Sequence, residues 1–236
     1  METLEKLLGE SHLSDIAVSG HGDAKVAFLE QNISLLEALT TLGFNGHHVS
    51  LIVHGDGWQE KLNWVKENYQ EVLQPLGFNG SHVAQIVTNA GWRDKLDWVK
   101  ENYQKVLQPL GFNGYHVAQI VVGADWRDKL DWVKENYQKV LQPLGFNGSH
   151  VAQIVVGAGW RDKLEWVKGN YRDVLQPLGF KPTHAAKILR NSGWEEKLEW
   201  IANNYQNSHY TPAEIARKML KKDWESEVGY QIGKLH

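Results

Sequence analysis

Five histidines recur at a constant step of 34 residues: His48, His82, His116, His150 and His184. Imidazoles are common metal ligands, and a zinc site needs several ligands converging on one point. One histidine per repeat gives a row and not a tetrahedral cluster, so these rings are expected in the core or at the seams between repeats, with no metal. The chain has no cysteine, which excludes disulfides and cysteine-ligated zinc. It has no His-Glu-x-x-His, no Gly-x-x-x-x-Gly-Lys and no Gly-x-Ser-x-Gly, the spacings that serve metal hydrolysis, phosphate cradling and an activated serine. His54-Gly-Asp-Gly57 superficially resembles an oxyanion loop, but no nucleophile elbow accompanies it. The chain is therefore expected to be no enzyme, with no cofactor and no small-molecule substrate.

The remaining chemistry is cationic. Positions are counted from the Phe that follows each Leu-Gly: Phe44, Phe78, Phe112, Phe146 and Phe180. Position 16 is Arg in three repeats (Arg93, Arg127, Arg161), and position 18 is Lys in all five (Lys61, Lys95, Lys129, Lys163, Lys197). Both fall in the first turn of a helix, where free N–H groups and the helix dipole favour an anion, so phosphate contact is one reading. The other is local pairing with the acidic residues of the same helix. On a helical wheel Arg93 and Lys100 share one flank, while Asp94, Asp97 and Glu101 point away from it.

These side chains need a scaffold that repeats. Trp58, Trp92, Trp126, Trp160 and Trp194 keep the 34-residue step, as do Trp64, Trp98, Trp132, Trp166 and Trp200. Each unit reads as two helices. The short first helix follows an N-cap at Asn45, Asn79, Asn113, Asn147, Lys181 or Thr211, with Pro182 and Pro212 at the next position, where a missing N–H costs least. Thr211-Pro-Ala-Glu214 is a capping box. The second helix is expected from Trp92 to Leu107, because Trp92, Leu96, Val99, Tyr103, Val106 and Leu107 form one apolar stripe. Pro109 and Gly111 end it. A lone hairpin cannot bury that stripe and stacked hairpins can, which predicts an all-α solenoid. Residues 44–209 hold five repeats (44–77, 78–111, 112–145, 146–179, 180–209). Residues 1–43 read as a degenerate capping repeat with Phe28 where Trp64 would be, and 210–236 as a divergent C-terminal capping half-repeat. The first tryptophan of each repeat is expected on the core stripe, and the second at the seam to the next repeat.

The link between the helices falls at positions 11–14, where nearly identical repeats diverge: Thr88-Asn-Ala-Gly91 against Val122-Gly-Ala-Asp125. Position 12 is Gly or Asn throughout, which reads as a requirement for the left-handed conformation there. Position 13 reads as small in every repeat, which leaves room for a close approach.

A 34-residue two-helix repeat with a variable pair at positions 12 and 13 resembles the transcription activator-like (TAL) effector repeats and their bacterial TALE-like relatives. The resemblance covers 44–209 well and the ends weakly. It implies a right-handed superhelix around double-stranded DNA, following the major groove with one repeat per base pair. The base-facing residues would be Asp56, Ala90, Ala124, Ala158 and Ser192. The loop-bracing residues would be Gly55, Asn89, Gly123, Gly157 and Asn191. Gly57, Gly91, Gly159 and Gly193 would lie beside the phosphates with the arginines and lysines above. A carboxylate accepts from the cytosine amino group, so Asp56 would read C, with about 1–3 kcal/mol of discrimination. Alanine can only meet a thymine methyl or tolerate a base, and Ser192 could bond to several bases. The chain departs from the family in carrying Trp after position 14, an acid at position 17 (Asp94, Asp128, Asp162), and Asp125 at position 14. These departures imply a distant relative with weak, salt-sensitive binding, falling with a log–log slope of roughly −4 to −5 if five phosphates are neutralised.

Charge is unevenly spread. Residues 1–77 hold 4 Lys/Arg and 11 Asp/Glu, or −7, and 78–236 hold 21 and 17, or +4, which sum to the net −3. The acidic front suits a basic partner and so a rival reading, a protein-binding solenoid. Five repeats would read only about five base pairs, too few to address a unique site, which leaves self-association as a further expectation. A third reading, the mitochondrial termination factor type of helical repeat, shares the Leu-Gly-Phe start but has a loop proline that is missing here. No run approaches eighteen apolar residues, so no membrane contact is expected. No secretory signal is evident. The implied place is the bacterial cytoplasm or nucleoid, or a host nucleus if the chain is a secreted effector.

Overall fold

The computed structural model describes residues 1–229, and the final part of segment 210–236 lies outside them. Among the described residues every regular element is helical. The N-terminal segment holds α1 (Glu2–Leu8), α2 (Glu10–Val18), α3 (Gly22–Gln31) and α4 (Ile33–Thr41). The repeats then alternate short and long helices. They are α5 (Gly46–His54) with α6 (Trp58–Asn68), α7 (Gly80–Val87) with α8 (Trp92–Asn102), and α9 (Gly114–Val122) with α10 (Trp126–Asn136). There follow α11 (Gly148–Val155) with α12 (Trp160–Asn170), α13 (Pro182–Leu189) with α14 (Trp194–Asn204), and α15 (Pro212–Lys218) with α16 (Trp224–Glu227).

The chain divides into two compact units, residues 1–109 with 113–124, and 110–112 with 125 onward. In the first, α2, α5, α7 and α9 stack in sequence, with α3, α6 and α8 each packed on the short helix before it. In the second, α11, α13 and α15 stack, backed by α12 and α14. Each unit is thus an all-α array of hairpins that bury their stripes against their neighbours, the arrangement expected of a solenoid.

The core repeats with the sequence. Phe78, Val83, Ile86, Leu96, Val99 and Leu107 are buried, as are their counterparts in the fourth repeat, Phe146, Val151, Ile154, Leu164, Val167 and Leu175. At roughly 1.5–3 kcal/mol for each large apolar side chain, this stripe is the main source of stability. Between stacked short helices the backbones nearly touch. A Cβ on Gly114 would stand 2.8 Å from the Gly77 carbonyl oxygen, and one on Gly148 would stand 3.0 Å from that of Gly111. Only glycine lets a helix start so close to the preceding Leu-Gly turn.

The long helix is not continuous to Leu107. It ends as α-helix at Asn102, opens into a π-turn at Tyr103–Leu107 and tightens to a 3-10 turn at Gln108–Leu110. At this point Asn102 Nδ2 donates to the Trp98 carbonyl at 2.9 Å, competing with its own backbone N–H for that acceptor. Asn68, Asn136, Asn170 and Asn204 do the same. The apolar stripe gave no warning of this, because its side chains stay buried across the π-turn.

Two contacts of the repeats recur in the N-terminal segment. Asn32 repeats the asparagine bond, donating to Phe28 at 2.8 Å. Phe28 packs edge-on against Trp58 at 4.8 Å, and Trp64 packs edge-on against Trp92 at 5.7 Å. The second aromatic of each of these repeats therefore meets the first tryptophan of the next, which places it at the seam.

Candidate nucleic-acid interface

Each short helix begins on a two-way cap. In the second repeat the His82 amide donates to Asn79 Oδ1 at 3.0 Å, and the Asn79 amide donates to His82 Nδ1 at 3.2 Å. The same exchange joins Asn45 to His48, Asn113 to His116 and Asn147 to His150. Lys181 keeps the half that uses His184 Nδ1, at 3.2 Å. The histidine ladder is thus a ladder of helix caps at half-buried sites. His82 also leans on Tyr115 of the next repeat at 5.9 Å, so the seam expectation holds there as a second contact. A ring whose Nδ1 accepts a bond must be neutral. Burial holds His82, His116 and His150 below the usual histidine range, and burial with the neighbouring His47 does so for His48. No grouping of three or more metal-ligating side chains occurs among the described residues.

At its far end each short helix enters the variable loop. Position 12 is half-buried, at Gly55, Asn89, Gly123, Gly157 and Asn191. Asn89 Nδ2 donates to the Gln85 carbonyl at 2.7 Å, and Asn191 Nδ2 to the Lys187 carbonyl at 2.8 Å, tying the loop to the last turn of the helix. Position 13 is exposed in every repeat: Asp56, Ala90, Ala124, Ala158 and Ser192.

The left-handed residue lies at position 14 and not at position 12. Gly55 and Gly123 are extended, with φ of −86° and −73°. Gly57, Gly91, Gly159 and Gly193 have φ of 64–67°, and Asp125 adopts 55°. Where position 12 is Gly55 or Gly157, the buried lysine of the same repeat comes close to it. A Cβ on Gly157 would stand 3.1 Å from Lys163 Nζ, and one on Gly55 would stand 3.2 Å from Lys61 Nζ.

That observation also corrects the placing of the lysines. Lys61, Lys95, Lys129, Lys163 and Lys197 are only 3–6% exposed. Their stems run through the core edge and, where the contact is resolved, the ammonium ends under the loop. Lys197 Nζ donates to the Ser192 carbonyl at 2.8 Å. Burial lowers the pKa of all five, opposed at Lys61 by Asp56 and Glu60 and at Lys129 by Asp125. Burial takes these lysines out of the phosphate-contact set, and they act as internal struts of the loop. Lys25 is the counterpart in the N-terminal segment, 4% exposed and donating to Ser19 Oγ at 3.0 Å.

The arginines do stand at the surface. Each lies over the ring of the preceding tryptophan: Arg93 on Trp92 at 4.8 Å, Arg127 on Trp126 at 4.6 Å and Arg161 on Trp160 at 4.7 Å. Arg93 Nε also donates to Glu60 at 2.8 Å, and Arg161 to Asp128 at 2.9 Å. The pairing runs from position 16 back to position 17 of the preceding repeat and not within one helix. The signal was present in the sequence as opposite charges 33 residues apart. Gly57, Gly91 and Gly159 are exposed beside this edge and Gly193 is half-buried.

Each long helix starts without a side-chain cap, so its first N–H groups remain available to an anion. The site is a set of loops with exposed tips, flanked by arginines that lie over tryptophan rings. No known family model matches the chain. No curated protein matches it either. No helix among the described residues is long and apolar enough to cross a membrane.

Proposed function

We propose that the repeats bind double-stranded DNA as a divergent TALE-like module, presenting one interhelical loop to each base pair in the major groove. One observation supports this reading above the others. In every loop the thirteenth residue is exposed while the twelfth is half-buried, and the asparagines among the latter are bonded back to the short helix. A side chain aimed outward from a braced backbone is what base reading requires. Asp56 is the position with a hydrogen-bonding preference, for cytosine. Ala90, Ala124 and Ala158 offer shape alone, and Ser192 offers a hydroxyl. Arg93, Arg127 and Arg161, with the exposed position-14 backbone, are the phosphate contacts in this reading.

A gel-shift comparison of duplex DNA, its single strands and duplex RNA tests the proposal. Saturable duplex binding, lost on changing Arg93, Arg127 and Arg161 together to Glu, supports it. Absent binding at low salt, or binding indifferent to those changes, refutes it. The second reading, a protein-binding scaffold, gains from the carboxylates that already occupy Arg93 and Arg161.

A further inference from the structure

The arginine-on-tryptophan arrangement is built three times and then stops. In the fifth repeat position 16 is Glu195, and position 23, where the first four repeats carry Lys66, Lys100, Lys134 and Lys168, is Ala202. Positions 16 and 23 lie two turns apart on one face of the long helix. Two long cationic side chains have thus been replaced by a carboxylate and a methyl group. A cleft of about 200 Å³ opens at this place, between α12 and α14. Its walls include Trp166, Trp194, Asn170, Glu195, Glu199 and Ala202. Trp166 is half-buried and Trp194 is 8% exposed, so Trp166 offers the broader aromatic face.

The ladder also lacks its next rung. Asp128 holds Arg161 one repeat on, and in the same pattern Asp162 would meet position 16 of the fifth repeat, which is the like-charged Glu195. Glu195 lines the cleft together with Trp166 and Asn170 of the fourth repeat.

We infer that this cleft binds an arginine side chain presented by a partner polypeptide, with the guanidinium against Trp166 and Trp194 and its N–H groups donating to Glu195 and Glu199. The chain itself supplies the precedent, because Arg161 meets the same two needs, an aromatic face and a carboxylate, on Trp160 and Asp128. Guanidinium satisfies both through its plane and its donors, and ammonium does so less well. The cleft is formed by the long helices and not by the variable loops, so the inference stands apart from DNA binding.

The test is a titration of the full chain with acetyl-Gly-Arg-Gly-amide, following assigned tryptophan indole N–H signals. Peptides with lysine or with citrulline, which keeps the shape but lacks the charge, serve as comparisons. The expected result is a saturable shift at Trp166 and Trp194, roughly five-fold or more weaker with lysine and absent with citrulline. Glu195→Arg, which restores the residue of the other repeats, and Ala202→Lys should each abolish it. No saturable arginine response at those indoles overturns the inference. So does an equal response to lysine, or one that survives Glu195→Arg.

Discussion

Salt dependence distinguishes a surface cation from a buried one, and here the two counts differ widely. Duplex binding weakens with a log–log slope of roughly −0.9 per phosphate neutralised. If the three arginines and five lysines all met phosphates, the slope would be about −7. The five lysines are 3–6% exposed and turned inward, which leaves Arg93, Arg127 and Arg161 and a slope of about −2.7. Between 50 and 200 mM salt this is a loss of about forty-fold in affinity, against more than ten-thousand-fold for the larger set. The perturbation that tests the assignment is Glu60→Gln combined with Asp128→Asn, which frees Arg93 and Arg161 from their carboxylates without touching either arginine. Each exposed ion pair is worth about 0–1 kcal/mol, so freeing both arginines should raise low-salt affinity by up to about thirty-fold. Fluorescence anisotropy with a labelled duplex over a salt series measures both quantities. A slope near −7 would falsify the struts assignment of the lysines. Weaker binding after the double substitution would remove the arginines from the interface.

Four further outcomes follow from the geometry. The unfolded histidines titrate near 6.5, and His48, His82, His116, His150 and His184 are held lower in the fold. Stability should therefore be complete above about pH 6.5 and fall as the pH drops through and below it. Urea midpoints at pH 7.5 and 5.5 check this, and equal midpoints would contradict the caps. His150→Gln should keep the cap while removing its share of that pH dependence. Tyr171→Phe leaves the buried Phe180 carbonyl without its 2.9 Å donor and should destabilise by about 1 kcal/mol, seen as a lower urea midpoint. Gly159→Ala and Gly169→Ala both add a methyl group to open space, but Gly159 has φ of 67° and Gly169 lies inside α12. The first should cost about 1 kcal/mol and the second gain about 0.5–1 kcal/mol, so midpoint shifts of the same sign would refute the loop assignment.

The sequence determined whatever depends on periodicity. Phe78 and its counterparts, the two tryptophan series and the N-cap asparagines recur at one step, and amphipathic hairpins of equal length can bury their faces only by stacking on their like. It also located the loop, because glycine and asparagine interrupt the helical pattern there. What it left open were directions. Lys95 and Arg93 stand two residues apart in one helical turn, yet the first is buried under the loop and the second lies on Trp92 facing solvent. The wheel sets them about 200° apart, with Lys95 on the side of Trp92 and Val99, but a flexible stem on that side can also carry its ammonium out to solvent, so its burial was left to the tertiary structure. The left-handed position was misplaced by two residues for a similar reason: Gly55 and Gly57 carry the same letter, and only the path into α6 shows which one turns. The asparagine bond recurs at Asn204 without the π-turn seen at Tyr103, so the letter alone does not set that turn. The pairing of Arg93 with Glu60 is written only as opposite charges 33 residues apart, and how one hairpin settles against the next decides that they meet.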